Sequence, residues 1–311
     1  MKKNLILFVF MLYAVAAGMV ANASPPVRPY TGGPTGSEIE AQLLKEKEAL
    51  PPYPVKSPQE LWQEGECLFV KKQYGEGVVL MRAGLKASPD AQRQEKLAKF
   101  EADLARHKQA AQDKRNQGKD WQERGNMSKA AAVYQDSLRE WPDVLLELHV
   151  RNLNFPKSVE KNNAEIVEMA PCDILDVSAV DVPADFSMEY APGTDKSDRR
   201  TVRTDKIFGD GRVVRYSTSR SSYRQAGPPQ YTTAAKRIPE MAVRRLYAAT
   251  QACSFNELGS YRKKNDSNKW GTPWKLTLKA DEKQHSASVL RTYVSRFEYV
   301  LSLFNKTVEG Y

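Results

Sequence analysis

The sequence predicts an α+β chain in two domains: an N-terminal all-α part built from helical repeats, and a C-terminal antiparallel sheet with two helices. Three observations predict it. Residues 58–90 and 111–143 repeat one pattern of small, large and proline positions. After Pro156 the helical stripes give way to alternating segments. In the clearest of these, Trp274, Leu276, Leu278 and Ala280 alternate with Lys275, Thr277 and Lys279. A stretch rich in proline and glycine precedes both parts.

Residues 1–23 read as a signal peptide. Lys2 and Lys3 form a basic start, Leu5 to Val20 is apolar and uncharged, and Ala21-Asn22-Ala23 offers the small-x-small cleavage pattern. A spanning helix needs about 20 apolar residues. Polar sequence begins at Ser24, so no integral membrane span is expected after cleavage behind Ala23. The mature chain is expected in a bacterial periplasm or outside the cell. Residues 24–57 read as a linker, because their prolines and glycines bury too little apolar surface to offset the entropy of ordering. Residues 37–50 within it are expected to form one short helix.

Aligned on Pro89 and Pro142, Gly65 matches Gly118, Gly77 matches Ala130, Met81 matches Tyr134, Gly84 matches Ser137, and Leu85 matches Leu138. Each unit then reads as two antiparallel helices. A small residue lets them approach closely, a large one fills the space, and the proline ends the second helix. Between the units, residues 90–110 place Leu97, Phe100 and Leu104 on one side of an extra amphipathic helical segment. Residues 143–153 read as a closing helix.

This pattern resembles the tetratricopeptide repeat, a helix-turn-helix unit of about 34 residues. Gly77, Gly84 and Lys114 depart from the residues usual in that family. The resemblance implies a concave face carrying Trp62, Glu66, Phe69, Arg115 and Lys119, suited to a peptide carboxylate because arginine donates bidentate hydrogen bonds. The implied role is that of a scaffold for another envelope or secreted protein.

In the C-terminal part, residues 185–190 alternate like a strand. Gly209-Asp210-Gly211 joins strands at 204–208 and 212–217 as a hairpin turn. Pro239 to Ala252 carries a helical stripe through Ala242, Leu246, Ala249 and Cys253. The Trp274 strand pairs with residues 285–289, and a last helix lines up Leu290, Val294, Phe297, Leu301 and Phe304. The Gly-Asp-Gly-Arg-Val hairpin, Cys253 to Leu258, Tyr261 and the Trp274 strand make this part similar to a small bacterial envelope domain with no established activity to transfer.

No GxSxG, HExxH, GxxxxGK[ST] or GxGxxG occurs, so neither an enzyme nor a cofactor is expected. The three histidines lack metal-ligand spacing; His107 and His149 read as solvated helix residues. Asp173–Asp176 and Asp195–Asp198 read as solvated loop carboxylates. Cys67 is expected as a small buried residue. Cys172 and Cys253 are candidates for a disulfide, although Cys253 on its apolar stripe equally suits a buried thiol.

The formal charge is +9 and falls to +7 without Lys2 and Lys3. Residues 186–270 hold 17 Lys/Arg against 8 Asp/Glu. Arg199, Arg200, Arg203, Arg212, Arg215, Arg220 and Arg224 make this stretch a candidate for binding an anionic envelope polymer in a salt-sensitive way. Export argues against nucleic acid as the physiological partner.

Overall fold

The computed structural model describes residues 55–161, 164–193, 201–219, 230–264 and 271–310. The expected signal peptide, the expected linker as far as residue 54 and the helix expected at 37–50 lie outside the described residues.

Helix α1 (Pro58–Val70) starts with a capping box. The Ser57 hydroxyl accepts from the Glu60 amide, the Glu60 carboxylate accepts from the Ser57 amide at 2.7 Å, and Pro58 supplies a preset first turn. It pairs antiparallel with α2 (Tyr74–Ala87). The pairing depends on glycine: a Cβ on Gly65 would sit 2.6 Å from Met81 Cγ and 2.7 Å from the Gly77 carbonyl oxygen. The second hairpin joins α3 (Ala91–Glu123) to α4 (Met127–Glu140). Here Gly118 lies under the Tyr134 ring, which a Cβ would meet at 2.5 Å. The two small-to-large contacts occupy equivalent positions, since the repeat alignment matches Gly65 with Gly118 and Met81 with Tyr134.

The extra segment at 90–110 is not a separate helix. It runs on into the second repeat as the 33-residue α3, because no proline interrupts it and Asp90 caps its start by accepting from the Arg93 amide at 2.8 Å. Its face with Leu97, Phe100 and Leu104 packs on Trp62, Phe69, Tyr74, Val78 and Met81. Helices α5 (Val144–Asn152) and α6 (Phe155–Lys161) close the helical region.

The sheet region contains β1 (Glu165–Glu168), β2 (Ser187–Ala191), β3 (Thr201–Phe208), β4 (Arg212–Ser219) and β5 (Gln230–Arg237). These are followed by α7 (Glu240–Ala252), β6 (Ser260–Arg262), β7 (Trp274–Ala280), β8 (Lys283–Leu290), β9 (Thr292–Val294) and α8 (Ser295–Glu309). Seven strands run in the order β5-β4-β3-β2-β7-β8-β6. The sheet is mixed rather than antiparallel throughout: β6 pairs parallel to β8, and β1 pairs parallel to β9 in a separate ribbon. The last helix also begins later than its stripe suggests. Arg291 takes a left-handed φ of 54°, Leu290 and Val294 stay in strands, and the helix starts at Ser295.

The β7–β8 turn places Asp281 and Glu282 at φ of 52° and 61°. Such values are unfavourable for residues with a Cβ. Both amides donate to the Asp185 carboxylate at 2.9 Å, and this holds the turn. Met188, Ile207, Val213, Leu276, Leu278 and Ala287 face one core with Val243 and Leu246 of α7 and Phe297, Val300 and Phe304 of α8. Leu145 and Leu148 of α5 enter the same core, so the last helix of the helical region is packed into the sheet region. Each such side chain contributes roughly 2 kcal/mol by burial. The described residues all fall in one compact unit. Among the described residues, no helix is long and apolar enough to cross a membrane.

Candidate functional site

Three of the five residues expected on a concave repeat face, Trp62, Phe69 and Arg115, are buried inside the protein. Trp62 and Phe69 are buried under α3, which fills the face they were expected to line. The Glu66 carboxylate accepts from Trp62 Nε1 at 2.8 Å and from Lys96 Nζ at 2.6 Å. Arg115, 0% exposed, is the clearest correction: its Nη2 donates to Asp143 Oδ2 and its Nη1 to the Cys172 carbonyl, both at 2.8 Å. Glu66 and Lys119 are half-buried, and Lys119 lies 3.9 Å from Asp173. A repeat groove open to a peptide is therefore absent along the described α1–α3 face. The long helix docks there because the residues before the second repeat are helical and amphipathic.

Three arginines of the basic stretch form ion pairs within the sheet region. Asp205 is buried in β3 and takes both Arg203, at 2.9 Å, and Arg215, at 2.6 Å. Arg212 pairs with Asp210. These three arginines are turned onto carboxylates of their own sheet. Arg199, Arg200, Arg220 and Arg224 lie outside the described residues, as do Asp195 and Asp198.

Cys172 and Cys253 form the disulfide, across a separation of 81 residues. Cys67 is exposed instead of buried, because Trp62, Gly65 and Phe69 define the inner face of α1 and Cys67 points away from it. His149 is buried, not solvated. Gln122 Oε1 accepts from Tyr134 and lies 2.8 Å from His149 Nε2, so Nε2 carries the proton and Nδ1 accepts from the Tyr299 hydroxyl at 2.8 Å. Burial, with Arg115 and Lys119 nearby, pushes the His149 pKa down to about 4.

These polar groups meet along residues 169–178, the strip between the helical and sheet regions. Gln122 donates to the Met169 carbonyl at 2.6 Å, and the Leu175 amide donates to Asp143 at 2.9 Å. Lys108 pairs with the buried Asp176 at 2.8 Å. The disulfide and the Asp173 amide, which donates to Ala252 at 2.8 Å, tie the strip to α7 from the other side.

Where the two regions separate at the surface they leave an open cleft of about 440 Å³. Sites for small ligands and side chains commonly span about 300–1,000 Å³. One wall is the turn before α2 and the start of α5; the other is α7 and the end of α8. Tyr74 and Trp141 form the aromatic base, 5.5 Å apart. Trp141 Nε1 donates to the Leu175 carbonyl at 3.3 Å. Arg245 of α7 pairs with Glu76 of α2 at 2.9 Å across the cleft. Lys306 and Glu147 line it with no side-chain partner among the described residues. None of these residues stands out by spacing. Trp141-Pro142-Asp143 at the end of the second repeat was the one local signal, as punctuation with an aromatic before it. No family profile matches this chain, and no curated protein does.

Proposed function

We propose that the chain is an exported, non-enzymatic binding protein, and that the cleft between its helical and sheet regions takes a segment of another envelope protein. The single observation that carries this reading is the cleft itself. It is built from both regions, has an aromatic base, and offers the charged heads of Lys306 and Glu147 for pairing. An ammonium, a carboxylate and a ring base recognise a peptide; they do not pair a nucleophile with a base. Export is supported by the signal pattern of residues 1–23 and by the Cys172–Cys253 disulfide, a bond that persists in oxidising compartments.

The test is site-specific photocrosslinking in the exported full chain. A benzophenone side chain at Lys72 or Lys306 should give a discrete adduct with one envelope protein. The same group at Lys99, exposed on α3 away from the cleft lining, should not. Identical adduct patterns from all three positions, or none from the cleft positions, would overturn the proposal.

A further inference from the structure

A second cavity, of about 540 Å³, lies at the opposite side of α7, between that helix and the β7–β8 hairpin. Its base is apolar: Leu278 and the Tyr247 ring are buried, and Tyr247 packs edge-on against Phe186 at 5.4 Å. Its rim is of another kind. Gln251 from α7, Asn256 from the turn that follows, and Gln284 from β8 all line it. All three are exposed, and none has a side-chain hydrogen bond among the described residues. His285 adds an acceptor. Its Nε2 lies 2.6 Å from the Leu258 carbonyl, which only accepts, so the proton is on Nε2 and the other ring nitrogen is left to accept in the neutral ring. The charges on the rim, Asp281 and Lys283, cancel.

We propose that this cavity binds a neutral saccharide. Each amide offers a donor and an acceptor side by side, the pairing that adjacent hydroxyls of a sugar ring require. An anion would meet Asp281 with one lysine to offset it. An apolar ligand would cover three amides and leave them unpaired, at a cost of about 1–3 kcal/mol for each group left without a partner. The apolar base under a polar rim matches a sugar's own division into C–H faces and hydroxyl edges. Two parts of the rim, the Asp281 turn and the His285 ring, are held in advance of binding. Asp185 fixes the turn that carries Asp281 by accepting from the Asp281 and Glu282 amides, and the Leu258 carbonyl fixes the His285 ring. Pre-organisation of this kind lowers the entropy lost on binding.

The experiment is titration of the purified full chain with chitotriose, maltotriose and cellotriose, followed by amide-resolved NMR. At least one of the three should bind saturably with a Kd of about 1 mM or better, shifting amides of 247–256 and 278–285. Gln251→Ala and Gln284→Ala should each weaken that binding by about fivefold or more, while their unfolding midpoints stay at the wild-type value. Raising NaCl from about 0.05 M to 0.5 M should change the affinity by less than about twofold, since a neutral ligand has no charge for salt to screen. No saturable binding of any of the three, binding that both variants retain, or a loss of more than about tenfold in salt would each overturn the assignment.

Discussion

The two helical hairpins share one geometry and differ in chemistry at equivalent positions. Where the first buries Trp62, the second buries Arg115. Where the first buries Phe69 and closes on Gly84, the second places Gln122 and buries Ser137. The first hairpin is sealed by a long helix with an apolar stripe, so its inner face is dry. The second faces the strip at 169–178, whose carbonyls and amides need partners, and its polar side chains supply them. The repeat geometry thus sets where a side chain is buried, and the neighbour decides whether it must be polar. A charged residue in a repeat is no evidence of a surface when backbone lies opposite it.

The largest effect that separates the hairpins comes from Asp143. It caps α5 through the Leu145 and Leu146 amides, takes Arg115, and receives the Leu175 amide. Asp143→Ala leaves a guanidinium buried without its partner, and Arg115 Nε already has none among the described residues. We expect a loss of about 3–5 kcal/mol by urea unfolding. The double variant Arg115→Met/Asp143→Ala should lose less than Asp143→Ala alone. A double variant as unstable as Asp143→Ala would show that the cap, not the stranded charge, accounts for the loss.

The next effect reads the second hairpin's polar interior through pH. His149 titrates near 4 in the folded chain and near 6.5 unfolded, so the unfolded chain takes the proton first. Folding stability from this group is complete above about 6.5 and declines as the pH falls towards 4, by about 3 kcal/mol in all. Glu298 on α8 acts in reverse. Burial alone pushes its carboxyl up to about 7 from 4.5, and it has no hydrogen-bond or ion-pair partner among the described residues. The folded chain holds that proton longer, so stability is lost as the pH rises from about 4.5 to 7. The two slopes oppose each other between pH 4.5 and 6.5. Glu298→Gln should unmask a stability that rises with pH across this window; His149→Gln should unmask one that falls. Parallel pH profiles for wild type and both variants would remove these groups from the account.

How much of this was legible depends on how local each cause is. The small-to-large contacts, the Gly209–Gly211 hairpin, the Trp274 strand and helix α7 rest on spacing within a few residues, and each appears where spacing placed it. The Cys172–Cys253 pair was also open to the sequence, as one of two readings. The fates of Arg115 and His149 depended on partners 28 and 150 residues away, which no periodicity contains. Arg215 faces Asp205 across the β3–β4 pair, and that required the register, whereas Arg203 stands two residues before Asp205 on the same strand. The short parallel strands β6 and β9 have three residues each, too few to show a period. The cleft and the saccharide rim were illegible for the same reason, since each draws its lining from separate elements.

A smaller effect tests how each hairpin tolerates bulk. Gly65→Ala would press a Cβ to 2.7 Å from the Gly77 carbonyl, which is backbone and moves only with its helix. The three atoms nearest a Cβ at Gly118 all belong to the Tyr134 ring, a side chain, though one pinned by its hydrogen bond to Gln122. Overpacking commonly costs about 1–3 kcal/mol. We expect Gly65→Ala towards the upper end and Gly118→Ala towards the lower, read from thermal unfolding midpoints. Adding Tyr134→Leu should relieve Gly118→Ala; nothing equivalent relieves Gly65→Ala.

The smallest effect concerns the position where the hairpins differ by one hydroxyl. Ser137 Oγ donates to the Ala111 carbonyl at 2.8 Å and ties α4 to α3. Its equivalent, Gly84, has no side chain to donate, and a Cβ there would meet the Pro58 carbonyl at 2.8 Å. The second hairpin is therefore slightly wider at this point, and the hydroxyl fills the gap. Ser137→Ala keeps the Cβ and removes one buried hydrogen bond, for a loss of about 1 kcal/mol. Gly84→Ser should not gain that bond, because its Cβ clashes before its hydroxyl can reach an acceptor, and it should lose more than Ser137→Ala does. A Gly84→Ser variant as stable as wild type would mean the first hairpin can open to the second's spacing, and that its tighter packing is a consequence of glycine and not a requirement of the fold.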